Sequence, residues 1–578
     1  MTDRAHQVLA QFLDAGLVRA DTVAIVVAHG GHMHGRGVDV HLSEDELGPV
    51  VTLLEQQLRP RWLWWSSDTA SELVQRGLRV ATCWDLAAGH RLLFGGWRAD
   101  PGLVWSSLHG LAATTIPEMG QLDLLTSFGD DGTDPENPVR PDGHLRPEWV
   151  SGGWARSPDR MALWAHTAAA AVQAQARLLA AVKVGGDVTA TTRSESGAEL
   201  MCVELGAEGL PIDHAVAEQI IASFIGPRPR DHTEEFRFRR DRDSAVLSLL
   251  PGGERTDLRN PAQVRALLLR IGIDVPDTRS WRLEPYRDAH PLVDALLRWR
   301  KSERIATTYG YQWLDQRVGA AGRLRGAWTG SDGAAGRMTA QAGLHNLPTE
   351  LRPAVVAEPG HRFVRADLGQ IEPRVLAAVS GDRALAAATI DHDLYAPVAA
   401  RLKVERAVAK VAVLAAMYGQ TSGTAGEALK GLESAYPVAM AYLKRAYDHG
   451  YAGTDVHTYG GRLIRMPPMP RDLDETGERS WLGGRARFAR NAVIQGAAAE
   501  LFKAWAVTVR NRIVSLDAQI VMCLHDELLI HVPDEHGEAV GALLHNCLDE
   551  ASRRWTAQAP VRFVADVGII SRWSEAKH

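Results

Sequence analysis

The sequence predicts an α+β protein: a small α/β domain first, a mainly helical middle, and a C-terminal half whose strands end in carboxylates. Three observations predict it. Short apolar runs alternate with helical stretches over about residues 1–125. Amphipathic helical patterns dominate from about 198 to 345. Farther on, one apolar run ends at Asp367, and another, Ala518 to Val532, is interrupted by His525-Asp526-Glu527.

Taken in order, Val23 to Ala28 reads as a strand, His29-Gly30-Gly31-His32 as a turn and Asp45 to Leu58 as a helix. Trp62 to Trp65 reads as a short strand and Ala70 to Arg76 as a short helix. Residues 129–147 crowd Gly, Asp, Pro and Asn together and predict a loop. An alanine-rich helix covers about 158–183, and a boundary is expected near 184–197. Helices follow at 198–208, 214–224, 261–272, 291–309 and 311–325, with an Arg-, Pro- and Asp-rich break near 227–243. Residues 355–385 read as strand, turn, helix, and further helices cover 394–418, 425–448 and 486–514. Ala518 to Val532 reads as a hairpin with acids at its tip, followed by a helix at 535–554 and a strand at 560–568.

Composition narrows the class. At roughly 150 residues per domain, 578 residues make two to four domains. With 46% hydrophobic and 23% charged residues the chain is globular rather than disordered. Cys83, Cys202, Cys523 and Cys547 lie far apart without C-x-x-C spacing, which excludes a disulfide scaffold and a cysteine-rich zinc site. No apolar run reaches about 18 residues, so no membrane span is expected. The N-terminus shows no basic region followed by an apolar core, so no secretory leader is expected. The net charge is −6, but its distribution is uneven. Residues 1–150 carry 11 arginines, no lysine and 20 acids, net −9; residues 282–337 carry ten basic and six acidic residues, net +4. The basic segment fits a polyanion-binding surface, although charge alone favours a solvated helix face.

Four constellations could carry chemistry. In Phe363-Val364-Arg365-Ala366-Asp367-Leu368-Gly369-Gln370-Ile371-Glu372-Pro373-Arg374, a strand delivers a carboxylate to its end just before a helix, where it can meet a divalent metal or cap the helix. In Cys523 to Leu529, three ionisable residues interrupt an apolar hairpin; burial of such charge costs several kcal/mol unless it is paired or metal-bound. Arg406, Lys410, Leu414 and Tyr418 recur every four residues and share a helix face. Two cations there could hold a polyphosphate while the lower residues pack a base and sugar, or the face could be an ordinary amphipathic one. Arg487, Asn491 and Gln495 line another helix face beside Gly496 and three alanines, fit either to read a minor groove or to cap a core. Two separate carboxylates match the pattern in which two ions bridge attacking and leaving oxygens, pointing to phosphoryl or nucleotidyl transfer. The G-x-x-x-x-G-K-[ST] loop is missing, which disfavours a P-loop ATPase.

In chain order these elements resemble the bacterial DNA polymerase I family (family A). Asp367-Leu368-Gly369-Gln370-Ile371-Glu372-Pro373-Arg374 is similar to its motif A, Arg406 through Tyr418-Gly419 to its motif B, the Arg487, Asn491, Gln495 helix to the segment before motif C, and His525-Asp526-Glu527 to motif C. Lesser likenesses are His290-Pro291-Leu292-Val293 onward, Gly336-Arg337-Met338, Leu344 to Pro348 with Arg352, and Val456 to Arg462. The resemblance covers about 200–578. It implies a right-hand polymerase of palm, fingers and thumb preceded by a small α/β exonuclease-like domain. The implied partition is 1–190 exonuclease-like, 198–330 thumb and lead into the palm, 331–382 first palm part, 383–470 fingers and 471–578 second palm part.

The resemblance also implies roles. Asp367 and Asp526 would hold two Mg²⁺ ions, with Glu527 supporting them. Lys410 and Arg406 would bind the phosphates of an incoming deoxynucleoside triphosphate. Glu372 would close the sugar pocket against a 2′-hydroxyl, Gln370 would lie near the sugar or primer end, and Tyr418 would border the templating pocket. Arg337, Asn346, Arg487, Asn491, Gln495 and His525 would contact primer-template DNA. The chain departs from the family pattern at Leu368-Gly369, where Tyr-Ser is usual, at Leu414 and Ala415, where an aromatic residue and Gly are usual, and at Tyr395, which takes the place of a phosphate-binding His with His392 nearby. Leucine fills space without stacking, so weaker nucleotide binding and altered sugar discrimination are expected.

The N-terminal part carries less chemistry. Asp85-Leu86-Ala87-Ala88 with Leu92-Leu93 faintly resembles a family exonuclease segment, but the first strand bears no D-x-E and no Y-x-x-x-D precedes residue 200. His29, His32 and His34 could bind a metal or sit solvated in a loop. An inactive exonuclease fold is expected, with no room in 578 residues for a 5′-nuclease domain. The expected protein is a monomeric, cytoplasmic, nucleoid-associated bacterial DNA-directed DNA polymerase with a repair or gap-filling role. The alternatives are a polymerase tolerating ribonucleotides and a non-catalytic DNA-binding relic.

Overall fold

The computed structural model describes residues 2–116, 135–250, 252, 256–319, 321–419, 425–557 and 559–576. Part of the expected 129–147 loop lies outside them. The chain divides into two compact units: Met1–Glu208 with Ala327–Ala340 and Gly360–Ile569, and Gly209–Gly326 with Gln341–Pro359 and Ile570–His578.

After helix Thr2–Asp14, the first unit holds a five-stranded sheet of β1 (Thr22–Ala28), β2 (Gly30–Gly35), β3 (Val38–Leu42), β4 (Arg61–Trp64) and β5 (Thr82–Asp85), in the order β3-β2-β1-β4-β5. β1 to β3 are antiparallel; β4 and β5 run parallel to β1. The chain reverses at His29, inside the expected turn at 29–32, but Gly30 to His32 already belong to β2. Gly30 makes the reversal possible: its φ is +105°, and a Cβ there would sit 2.4 Å from the Leu42 carbonyl oxygen. Helix Pro158–Ala181, capped by Ser157 and opened by a proline, packs across β1 and β2.

The expected boundary at 184–197 is also helix, Val188–Glu208. Its Thr- and Ser-rich start has modest helical propensity, and burial decides the outcome. Glu195 pairs with Lys503 at 2.6 Å and Arg462 at 2.5 Å, all three nearly inaccessible, and Glu199 pairs with Arg91 at 2.8 Å.

Farther along this unit a four-stranded sheet orders Gln519–Leu524, Glu527–Pro533, His361–Leu368 and Ala565–Ile570. Its core is crossed by helix Glu475–Ile513, 39 residues and about 58 Å long. The helix starts earlier than the expected 486 because Gly483-Gly484, a breaker by propensity, is carried inside it. With its 3-10 extension to Leu516 it is long and apolar enough to cross a membrane by composition alone, although charged residues interrupt its apolar run. Yet 72% of that apolar window is buried within the protein, where Leu501, Phe502 and Trp505 share one apolar core with Leu528 and Ile530. It is a core helix.

A second apolar cluster is built on short helices. The expected 394–418 helix is two, Tyr395–Leu402 and Arg406–Tyr418, separated at Lys403 with φ +57°. The expected 425–448 helix is also two, Ala425–Ala435 and Pro437–Ala452, broken where Pro437 withholds an N–H and restricts Tyr436.

The second unit is helical around Val264, Leu268, Leu292, Val293 and Leu296. The expected break at 227–243 holds helix His232–Leu247. Asp231 caps it by accepting the Glu234 N–H at 2.8 Å, and Glu234 pairs with Arg237 one turn on. The expected 311–325 helix stops at Arg317; Gly319 and Gly322 turn the chain into a two-residue strand at Arg323.

Candidate functional site

Strand His361–Leu368 delivers Asp367 to its C-terminal end, opposite Glu527 in the antiparallel register. The hairpin reverses at His525, with φ +55°, and Asp526. The Leu368 N–H donates to the Asp526 carbonyl at 3.1 Å, tying the hairpin tip to the neighbouring strand end. Two acids 159 positions apart in sequence thus meet at one sheet edge. Burial, then the charge of Asp367, pushes the Asp526 carboxyl up to about 6.

Behind them lies Arg365, a residue to which the sequence motifs assign no role. Its side chain is 5% exposed. Nη2 donates to Asp367 Oδ2 at 2.8 Å and to Glu527 Oε2 at 3.1 Å, and Nη1 reaches Asp566 at 3.4 Å. One guanidinium therefore binds a carboxylate from each of three strands. The signal available in the sequence was a cation two residues before Asp367, on the same strand face.

After the strand, Gln370 takes a left-handed conformation, φ +56°, and helix Ile371–Ser380 begins. Glu372 in its first turn accepts from Arg337 Nη2 at 3.0 Å and from the Tyr418 hydroxyl at 3.2 Å. Burial raises its carboxyl, with Arg337 opposing. Arg374, fully buried, donates to five carbonyls, of Gly369, Thr389, Asp391, His392 and Arg562, at 2.6–3.1 Å. It fastens the motif to the segment before Tyr395, and burial lowers its guanidinium to about 10.

Asp393 joins two of the sequence motifs. It accepts from Gln370 Nε2 at 2.7 Å and from Arg406 Nε at 2.5 Å. Lys410, one turn farther along helix Arg406–Tyr418, is exposed. Tyr395 is buried, which pushes its hydroxyl up to about 12, and the Arg406 guanidinium lies 5.9 Å from its ring centre. A cleft with about 740 Å³ of empty space is lined by Arg337, Gln370, Glu372, Tyr395, Leu414, Gln495, His525 and Asp526.

Asn491 and Arg487 lie on the same long helix as Gln495. Asn491 Oδ1 is buried without a hydrogen-bond partner among the described residues. Gly419 ends the motif B helix at φ +69°, where a Cβ would sit 2.9 Å from the Arg487 side chain. Asn346 belongs to the second unit, where its carbonyl accepts from the Tyr309 hydroxyl and from Arg304, both at 2.6 Å.

In the N-terminal sheet Asp85 is a structural residue. It is 1% exposed, caps the next helix by accepting the Ala88 N–H at 2.8 Å and accepts from Trp64 Nε1 at 3.0 Å. Burial, then Glu199, pushes its carboxyl up to about 7.

Comparison with known proteins fits this geometry. The sequence profile of DNA polymerase family A matches residues 250–575. The thermostable DNA polymerase I of Thermus filiformis is 29% identical over 330 residues, 52% of this chain and 38% of that protein. DNA polymerase I of Chloroflexus aurantiacus is 31% identical over 301 residues, 47% of this chain and 31% of that protein. The chain thus spans well under half the length of these relatives. Among solved structures, the POL domain of Pol1 from M. smegmatis, in complex with DNA primer-template and dNTP, superposes with a TM-score of 0.68 over 98% of both chains at 20% identity, a likeness of fold. The sheet, the helices around it and the α/β region before them are the palm, fingers and thumb architecture with its N-terminal domain, and with more than half of its length matched the chain belongs to DNA polymerase family A.

Proposed function

We propose that the protein is a DNA-directed DNA polymerase that adds deoxynucleotides to a primer 3′-hydroxyl. The observation that carries this reading is the meeting of Asp367 and Asp526 at the strand ends, beside a cleft walled by Glu372, Leu414 and Gln495.

The donor set fits magnesium. It consists of hard carboxylate oxygens, and a cation would offset both the burial and the Asp367 charge that raise the Asp526 carboxyl. Asp367 and Asp526 would hold two ions, with Glu527 and Arg365 fixing the orientation of Asp367 from behind. Bound there, the metal supplies activation of the primer hydroxyl and neutralisation of the departing pyrophosphate. The remaining work falls to side chains. Lys410 and Arg406 bind the triphosphate, and Arg406 must exchange Asp393 for phosphate to do so. Glu372, braced by Arg337 and Tyr418, occupies the space of a 2′-hydroxyl and so selects deoxynucleotides. Gln370 positions the sugar, and Tyr395, through its single neutral hydroxyl, borders the phosphates. Arg487, Asn491, Gln495, His525 and Asn346 grip primer-template DNA.

We assign residues 198–330 to the thumb and the lead into the palm, 331–382 and 471–578 to the palm and 383–470 to the fingers. The 1–190 region is read as an exonuclease-like shoulder without nuclease activity: β1 carries no carboxylate, and Asp85 is consumed as a helix cap. The family likeness supports a role in repair or gap filling as a monomer in the bacterial cytoplasm.

A 5′-labelled primer on a longer template tests this reading. Template-directed extension with Mg²⁺ and dNTPs, and no shortening without dNTPs, is expected. Tight DNA binding without extension would replace it with the non-catalytic DNA-binding reading, and equal use of ribonucleotides would overturn the role of Glu372.

A further inference from the structure

The proposed polymerase chemistry leaves unused a histidine cluster in the N-terminal sheet. β2 and β3 pair with His34 opposite Asp39 and His32 opposite His41. Residues two apart on a strand share a face, so His32 and His34 project to the same side. Helix Pro158–Ala181 packs against β2 and brings His166 to the same carboxylate. Three imidazole nitrogens converge on Asp39 Oδ1: His166 Nε2 at 2.7 Å, His32 Nε2 at 3.0 Å and His34 Nδ1 at 3.2 Å. A carboxylate oxygen offers two lone-pair sites, so three nitrogens on one oxygen exceed what hydrogen bonding uses. The ligand atoms of His34, Asp39 and His166 all lie within 4.8 Å of one another.

That arrangement suits a metal better than it suits hydrogen bonds. In a tetrahedral zinc site with bonds of about 2.0–2.1 Å, neighbouring ligand atoms sit about 3.3 Å apart. The spacings of 2.7 and 3.2 Å from Asp39 Oδ1 need only a small outward movement to admit the ion. Two imidazoles and a carboxylate are zinc donors, whereas magnesium prefers oxygen alone. The side chains of Asp39 and His166 are 39% and 42% exposed, which leaves a route of entry and a free coordination position. His32, at 5%, is the most buried of the four.

We propose that His34, Asp39 and His166 form a binding site for a zinc-class divalent transition metal, with His32 as a positioning residue that holds the Asp39 carboxylate. The three ligands come from two strands and a helix, so the ion would clip the β2–β3 hairpin to the helix. Nothing in this site depends on polymerase activity.

The test titrates the full-length chain with Zn²⁺ alone, by calorimetry, without DNA or nucleotide. The Asp367→Asn/Asp526→Asn variant serves as the parallel background, because it removes the other carboxylate pair. Binding of one equivalent at micromolar or lower concentration is expected in both proteins. Co²⁺ in place of Zn²⁺ should give the intense visible bands of tetrahedral coordination. His34→Ala and His166→Ala should each weaken binding at least about a hundredfold, and His32→Gln about 10–100-fold, as for the groups that orient metal ligands. Zn²⁺ should raise the thermal midpoint of the wild type and leave that of His166→Ala unmoved. Absence of stoichiometric Zn²⁺ binding by the wild type would overturn the proposal, as would binding that survives unchanged in both His34→Ala and His166→Ala.

Discussion

Arg365 offers a sharp physical test of how the palm is held. Its guanidinium is 5% exposed and bridges Asp367 and Glu527, of which Glu527 is also only 8% exposed. Replacing it by Met keeps the aliphatic stem but leaves the Glu527 carboxylate buried without that cation. Removing one partner of a buried pair costs about 3–5 kcal/mol. Asp566 adds little to this, because its side chain is 67% exposed at 3.4 Å. A loss of about 4 kcal/mol corresponds to roughly a thousandfold more frequent opening. Hydrogen exchange should therefore accelerate by about that factor in strands His361–Leu368 and Glu527–Pro533. The double variant Arg365→Met/Glu527→Leu removes both charges and should recover most of the loss. The coupling energy of the cycle should then be at least about 2 kcal/mol. Exchange in Arg365→Met within a few-fold of wild type, or a double variant whose loss equals the sum of the two single losses, would refute the reasoning.

Three further outcomes are expected. Glu500 is 1% exposed, and burial pushes its carboxyl up to about 7 from 4.5. Between those values the folded state holds a proton that the unfolded state has released, so its contribution to stability falls as pH rises through this window and levels above it. At about 1.36 kcal/mol per pH unit the span is about 3 kcal/mol, and denaturation of Glu500→Gln should gain about that much relative to wild type between pH 4.5 and 8; parallel curves would contradict it. Lys410→Ala should lower kcat about 10²–10³-fold with primer-template affinity nearly intact, and a loss under threefold in single-turnover kinetics would remove Lys410 from the site. Glu372→Ala should reduce the dNTP over rNTP ratio of kcat/KM at least about tenfold, and an unchanged ratio would remove it as the sugar gate.

Much of the site was legible because its chemistry is written locally. A strand ending in Asp367, a helix with Arg406 and Lys410 one turn apart, and acids interrupting an apolar hairpin each have a short-range pattern. What escaped was set by distant partners. Arg365 looked like one polar residue in a strand until the register brought Glu527 to it. Asp393 acquires meaning only through Gln370 and Arg406, which approach it from both sides in sequence. The same holds for the fold. Gly30 to His32, read as part of a turn, becomes the start of a strand because β1 and β3 pair with β2 on both sides. Thr189 to Gly197 has the composition of a linker and becomes helix because Glu195 is buried against Lys503 and Arg462. Helix His232–Leu247 was hidden by its charge, which faces solvent and pairs along its own surface. The histidine cluster joins His34 to His166 across 132 positions, a distance that no local pattern can signal.

Single-turnover primer extension by the wild type and by Asp526→Asn, with DNA binding measured in parallel, tests the central claim most directly. The account predicts template-directed extension by the wild type, a loss of at least about 10³-fold in the variant and unchanged affinity for primer-template DNA. Extension by Asp526→Asn at a rate near that of the wild type would contradict it.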